Sequence, residues 1–136
     1  MRVIFFGTPD YVLPIVNSLS GIVAVVTQPP KPSGREKMII RSPIDNWAFK
    51  HQIPVFYDAL EAISKVNPGL GILAAYGKII PEPVINFFPK GILNVHPSLL
   101  PKFRGASPIQ AAIVSGEKET GATIIKLDSQ IDHGPV

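Results

Sequence analysis

Gly91-Ile92-Leu93-Asn94-Val95-His96-Pro97-Ser98-Leu99-Leu100-Pro101-Lys102-Phe103-Arg104-Gly105 is the most informative stretch of the chain, because its pattern places a strand, its end and a loop in succession. Its first half is an apolar run that turns polar on alternate residues. Side chains in a strand repeat every two residues, so Asn94 and His96 point to the same side. Pro97 has no N–H to offer a neighbouring strand and ends the pairing. An amide and an imidazole are thus carried together to the end of a strand. A proline-bounded loop rich in leucine follows, Pro97 to Pro101, with the composition to line a pocket. In α/β sheets ligands bind at the ends of strands, so this corner is the first candidate for a site.

On either side, the flanking segments alternate between strand and helix patterns. Arg2 to Phe6 is a buried strand ended by Gly7, Tyr11 to Leu19 has helical spacing, and Ile22 to Thr27 is a second strand. Together they form a β-α-β unit with a right-handed crossover. Gly7-Thr8-Pro9-Asp10 lacks the spaced glycines of a dinucleotide fingerprint, so neither NAD nor FAD is expected. Prolines, Ser33 and Gly34 exclude regular structure from most of the segment from Gln28 to Pro43, and a loop that long is usually functional or disordered. Ile44 to His51 is helical with Ile44, Trp47 and Ala48 on one face, and Ile53 to Phe56 is a short strand. Asp58 caps a helix that stops before Pro68. Leu70 to Tyr76 is a central strand and Pro81 to Phe87 a short helix. After the stretch quoted first, Ser107-Pro108-Ile109-Gln110 matches a capping box, and Ile109, Ala112 and Ile113 form the expected buried stripe of a helix ending near Gly116. Ala122 to Leu127 is the last strand, and the chain leaves it through Asp128, Ile131, Asp132, Gly134 and Pro135. The fold class is α/β: a Rossmann-like, doubly wound, mostly parallel sheet with helices on both faces.

The bulk numbers fit this reading. At 136 residues, with 46% hydrophobic and 17% charged residues, the chain is one globular domain, short for a complete doubly wound enzyme. No apolar run reaches the length of a membrane span and no signal-peptide pattern opens the chain, so a cytoplasmic location and no membrane partner are expected. The absence of cysteine excludes disulfides, thiolate zinc sites and cysteine nucleophiles. His51, His96 and His133 lack the spacing of a zinc motif, so no metal is expected. The formal charge of +3 is concentrated between Gln28 and Arg41, where Lys31, Arg35, Lys37 and Arg41 face one acid, Glu36. A neutral body with one basic loop suits a phosphate-rich partner touching one edge, and on charge alone it equally suits a solvated loop.

These residues together resemble the folate-dependent formyltransferase family, in particular its tRNA-modifying branch. The similar stretches span the chain: Phe6-Gly7-Thr8-Pro9-Asp10, Thr27-Gln28-Pro29, Pro32-Ser33-Gly34-Arg35, Ala75-Tyr76-Gly77, Asn94 to Gly105, Pro108-Ile109-Gln110, Thr120 to Ile124, and Asp128 to Gly134. Asn-x-His-Pro-Ser-Leu-Leu-Pro is the most specific of them. Two departures stand out. Asp132-His133-Gly134-Pro135-Val136 is closer to the glycinamide ribonucleotide branch, and Glu36 and Met38 occupy positions where the tRNA branch carries Gly and a base.

The resemblance implies the formyltransferase fold, with residues 1–136 as an N-terminal catalytic domain incomplete at its C-terminal end and lacking the C-terminal β-barrel of relatives. It implies transfer of a formyl group from 10-formyltetrahydrofolate to the α-amine of initiator methionyl-tRNA by a monomer. Asn94, His96 and Asp132 take the catalytic roles, Ser98, Leu99, Leu100 and Pro101 the folate wall, and Lys31, Arg35, Lys37 and Arg41 the tRNA contact. The transfer needs a neutral amine close by, a donor for the developing oxyanion, and a route for the proton. Without the family, Asn94, His96 and Asp132 read as turn formers, and the leucine loop as simple packing. The alternatives are a relative acting on glycinamide ribonucleotide, on an amino sugar or on water, and a non-catalytic folate- or RNA-binding fragment.

Overall fold

The computed structural model describes residues 1–128, 130 and 132–136; the expected exit residue Ile131 lies outside the described residues. Eight strands and five α-helices follow one another in the order β1 (Val3–Gly7), α1 (Leu13–Ser18), β2 (Ile22–Val26), β3 (Lys31–Ser33), β4 (Met38–Ile40), α2 (Pro43–Lys50), β5 (Val55–Phe56), α3 (Ala59–Val66), β6 (Leu70–Ala74), α4 (Glu82–Phe87), β7 (Ile92–His96), α5 (Pro108–Val114) and β8 (Thr123–Lys126). Six of the strands form one sheet in the order β5-β2-β1-β6-β7-β8. All its pairings are parallel except β7 with β8.

β1 is buried along its whole length, which is why its sequence is continuously apolar. Period two sends its residues to two separate cores. Ile4 and Phe6 join Ala24, Val26, Ala62, Ile63 and Val84 under α3 and α4. Val3 and Phe5 join Val12, Val16, Val25, Ile44 and Ala48 under α1 and α2. Helices therefore cover both faces, as expected. Because β1 pairs with β2 on one side and β6 on the other, the strand order reverses there, the switch point at which the carboxyl ends of open sheets form crevices.

Local signals decide most helix ends. Ser42 caps α2 by accepting the Asp45 N–H at 3.0 Å, and Asp58 caps α3 by accepting from Glu61 at 2.9 Å. Asn67, at φ +41, closes α3 ahead of Pro68. Pro14 sits within the first turn of α1, where a missing N–H costs nothing.

The structure corrects three expectations. The segment from Gln28 to Pro43 is not wholly irregular: β3 and β4 pair antiparallel, with Lys31 opposite Ile40 and Ser33 opposite Met38. Pro32 is tolerated because a two-stranded ribbon leaves each strand an open edge. Ser107 makes no side-chain cap bond, since its backbone (φ −136, ψ 52) lies outside the usual cap conformation. The buried residues of α5 are Pro108 and Ala112, whereas Ile109 and Ile113 are exposed, so the helix seats its small side chains and not its isoleucines.

These caps give a paired test. Asp58→Ala is expected to lower stability by about 1 kcal/mol, while Ser107→Ala shifts it by less than about 0.5 kcal/mol. Denaturant unfolding of both variants beside the parent checks the contrast, and equal losses would contradict the cap geometry.

Candidate active site

The site assembles at the carboxyl end of β7. Asn94 and His96 are buried, 6% and 4% exposed, on the same face of the strand, as the alternation requires. Thirty-eight residues beyond Asn94, Asp132 comes back to meet them. The Asn94 Nδ2 donates to Asp132 Oδ1 at 3.1 Å, and the Gly105 N–H donates to Oδ2 at 2.9 Å. His96 Nδ1 lies 3.5 Å from Oδ2, with the two side chains only 5% and 10% exposed. The carboxylate fixes the Asn94 amide with its NH2 toward Asp132, because the amide oxygen would be repelled there. The second Nδ2 hydrogen is left for another acceptor.

The other ring nitrogen of His96, Nε2, lies 2.9 Å from the Phe103 carbonyl oxygen. Both nitrogens therefore face oxygen acceptors, and a neutral imidazole can donate to only one of them. Three non-glycine residues around this corner have left-handed backbones: Ala75 just past β6, Phe103 in the loop, and Asp132 itself, at φ +46, +59 and +48. Such conformations persist where surrounding contacts enforce them, and they gather at functional sites.

Asp132 is carried there by a segment that doubles back. β8 runs antiparallel to β7, with Thr123 opposite His96, so its end lies away from the corner. The return is pinned where the Lys126 N–H donates to the Pro135 carbonyl at 2.9 Å. Gly134 makes that approach possible, since a Cβ there would collide with the Lys126 carbonyl oxygen.

The leucine loop is held by Thr123. Its Oγ1 donates to the Ser98 carbonyl at 2.7 Å and accepts the Leu100 N–H at 3.1 Å. Ser98 is fully buried, and its hydroxyl donates to the Lys102 carbonyl at 2.7 Å, so it braces the loop from behind. Leu99, Leu100 and Pro101, with Lys102, Phe103, Glu117, Glu119 and Thr120, line a cleft of about 330 Å³. Phe103 and Thr123 join a site that the sequence did not assign them to, Thr123 being visible there only as the residue a register places across from His96. Gly105, expected from the sequence to help shape the loop, donates to the Asp132 carboxylate.

The four expected tRNA-contacting bases do not form one cluster. Lys31 opens the β3–β4 hairpin and its ammonium donates to Gln28 Oε1. Arg35 and Lys37 stand at the exposed turn, where Lys37 adopts φ +51. Arg41 lies instead over the Phe49 ring, 5.3 Å from its centre, and 3.9 Å from the buried Asp45. Tyr57 donates to Asp45 at 2.8 Å; burial first, then that bond and the carboxylate charge, raise its pKa and keep it a donor. A groove of about 520 Å³ lies along this group, at the β5 edge of the sheet. Among the described residues no group of three acids or histidines could hold a metal ion, and no helix is long and apolar enough to cross a membrane.

The sequence pattern of a family described as "Formyl transferase" matches residues 1–136. A methionyl-tRNA formyltransferase from Dictyoglomus turgidum is 46% identical over the whole chain, and one from Thermus thermophilus is 43% identical. The chain spans about half the length of these curated relatives, 47% and 48%. In three dimensions, phosphoribosylglycinamide formyltransferase from Streptococcus pneumoniae superposes with a TM-score of 0.76 over 98% of this chain and 77% of its own, at 22% identity. A formyltetrahydrofolate deformylase from Pseudomonas syringae gives a TM-score of 0.73 over 98% of this chain and 48% of its own, at 21% identity. These last two likenesses establish the fold.

The loop geometry is open to test. Thr123→Val removes both bonds and strands the Leu100 N–H, so a loss of about 2 kcal/mol is expected, with Thr123→Ser retaining most of the stability. Thermal or denaturant unfolding of the two variants decides it.

Proposed function

The chain belongs to the formyl transferase family, and we propose that it serves to move a formyl group from 10-formyltetrahydrofolate to the α-amine of methionyl-tRNA. The observation that carries this reading is the convergence of Asn94, His96 and Asp132 at one strand end, beside a cleft walled on one side by Leu99, Leu100 and Pro101 and on the sheet edge from which the basic hairpin rises. The names and identities of the sequence relatives support the acceptor.

In the transfer, the amine nitrogen bonds to the formyl carbon, the bond from that carbon to folate N10 breaks, and a proton passes from the first nitrogen to the second. Asn94 supplies an oxyanion donor through its uncommitted Nδ2 hydrogen. His96 serves the same oxygen when its ring turns away from the Phe103 carbonyl, with Asp132 as the counter-charge. Asp132, whose carboxylate lies beside both side chains, holds the proton route. No enzyme nucleophile is called for, since the incoming amine attacks directly. Leu99, Leu100 and Pro101 form the folate wall, and Ser98 fixes its shape from behind. Lys31, Arg35 and Lys37 offer charge to tRNA phosphates from the hairpin, and Arg41 from its base.

The second reading keeps the chemistry and replaces the acceptor with a small amine. It is favoured by Asp132-His133-Gly134-Pro135, the stretch that departs from the tRNA-branch pattern. Offering charged initiator tRNA, glycinamide ribonucleotide and water in parallel assays separates the two, because only the first acceptor brings a run of phosphates for the hairpin.

On the tRNA reading, His96→Ala and Asp132→Ala each slow turnover roughly a hundredfold or more, on the order of 3 kcal/mol, and leave folate binding nearly unchanged. Near-normal turnover in either variant rules out its assigned role. Neutral replacements at Lys31, Arg35, Lys37 and Arg41 weaken acceptor-stem binding, with the log–log salt slope shallower by a little under about one unit for each phosphate no longer neutralised. Titrations at two salt concentrations read this directly, and identical affinities for parent and variant shift the acceptor to a small amine.

A further inference from the structure

Every residue from Lys31 to Ile40 is exposed, so the β3–β4 hairpin has no core of its own. An isolated two-stranded ribbon is marginal in water. Its position on the protein is therefore set by its roots. Thr27 Oγ1 and Ser42 Oγ share a hydrogen bond of 2.7 Å that closes the neck, and the same Ser42 oxygen caps α2.

Gln28 joins this neck to the rest of the strand-end edge. Its Nε2 donates to the Tyr76 carbonyl at 3.2 Å, while its Oε1 accepts from the Lys31 ammonium. The Tyr76 carbonyl also accepts from Thr8 Oγ1 at 2.8 Å, so one oxygen gathers the ends of β1, β2 and β6. Gly77 makes room for this: its φ is +79, and a Cβ there would collide with Gln28 Nε2. Tyr76 follows closely on β6, whose Leu73 is in register with Asn94. The amide does both jobs at once, donating to a carbonyl through its NH2 and accepting from an ammonium through its oxygen. Glutamate only accepts, and methionine does neither.

We propose that Gln28 is a positioning residue that ties the root of the basic hairpin to the edge beside Asn94, His96 and Asp132. RNA phosphates gripped by the hairpin then stand at a fixed offset from the reacting amine. This rests on the tRNA reading of the site. The single amide thereby couples acceptor binding to the chemistry without touching either substrate.

Gln28→Met and Gln28→Glu test it with two readouts. Because the chain has no cysteine, Ser33→Cys and Glu82→Cys accept spin labels at unique positions on the hairpin and on α4. The distance distribution between the labels is expected to broaden in both Gln28 variants, with the melting temperature close to the parent's. In turnover assays, kcat/KM for charged initiator tRNA falls about tenfold, the effect of removing one well-placed hydrogen bond and the order it brings, while KM for 10-formyltetrahydrofolate stays the same. Lys31→Met, which cuts the other half of the link, is expected to broaden the distribution as well. An unchanged distribution in both Gln28 variants overturns the positioning role and leaves the acceptor reading standing, as does broadening with unaltered tRNA kinetics. A parent chain that formylates only a small amine overturns both, since there is then no RNA to position.

Discussion

A carboxylate with about a tenth of its side-chain surface in water must be met by donors, and Asp132 accepts two hydrogen bonds and lies beside an imidazole. The Asn94 amide comes from β7, the Gly105 N–H from the loop after it, and the His96 ring from the strand's last position. Removing either donor would leave one carboxylate oxygen without its hydrogen bond. The convergence therefore constrains the fold as well as the chemistry. It fixes how far β7 extends, how the proline-bounded loop turns, and how the chain after β8 must double back to Lys126. The left-handed backbones at Phe103 and Asp132 are consistent with a loop held in place by this requirement.

The other end of the site follows a different rule. The hairpin buries nothing, so it contributes no core, and the protein controls it through hydrogen bonds at its roots. A segment of that kind has little packing to hold it and yields easily. The two strategies meet at the Tyr76 carbonyl, where a rigid sheet edge receives both Thr8 and Gln28.

Much of this was legible in the sequence, for identifiable reasons. Alternation put Asn94 and His96 on one face because a strand repeats every two residues, and Asp58 announced a helix start because its cap is a local bond. What failed was decided by tertiary contacts. Prolines between Gln28 and Pro43 masked a hairpin whose open edges tolerate them. Ile109 and Ile113 had the spacing of a core stripe, yet α5 turned Pro108 and Ala112 inward. Asp45, an acid in the first turn of α2, is buried against Tyr57, and no pattern in its neighbours signals that burial. The approach of Asp132 to Asn94 had no local signal; it came from the family resemblance, since nothing in period or spacing links residues so far apart.

The separation between corner and hairpin bears on how acceptor choice can be built. An oxyanion donor, an imidazole and a carboxylate serve any primary amine alike, because what they stabilise is the charge on the formyl oxygen and the proton in transit. Nothing in the Asn94, His96 and Asp132 geometry is therefore able to tell a tRNA from a small molecule. Discrimination must come from parts that touch the acceptor away from its nitrogen, and on the proposed tRNA reading the basic ribbon supplies it through long-range attraction to phosphates. Charge alone, however, holds a polyanion without orienting it. Orientation needs the ribbon fixed relative to the corner, and on the positioning role proposed for Gln28 its bonds to the Tyr76 carbonyl and the Lys31 ammonium provide that. On this reading specificity and catalysis are carried by separate elements, joined through one backbone oxygen.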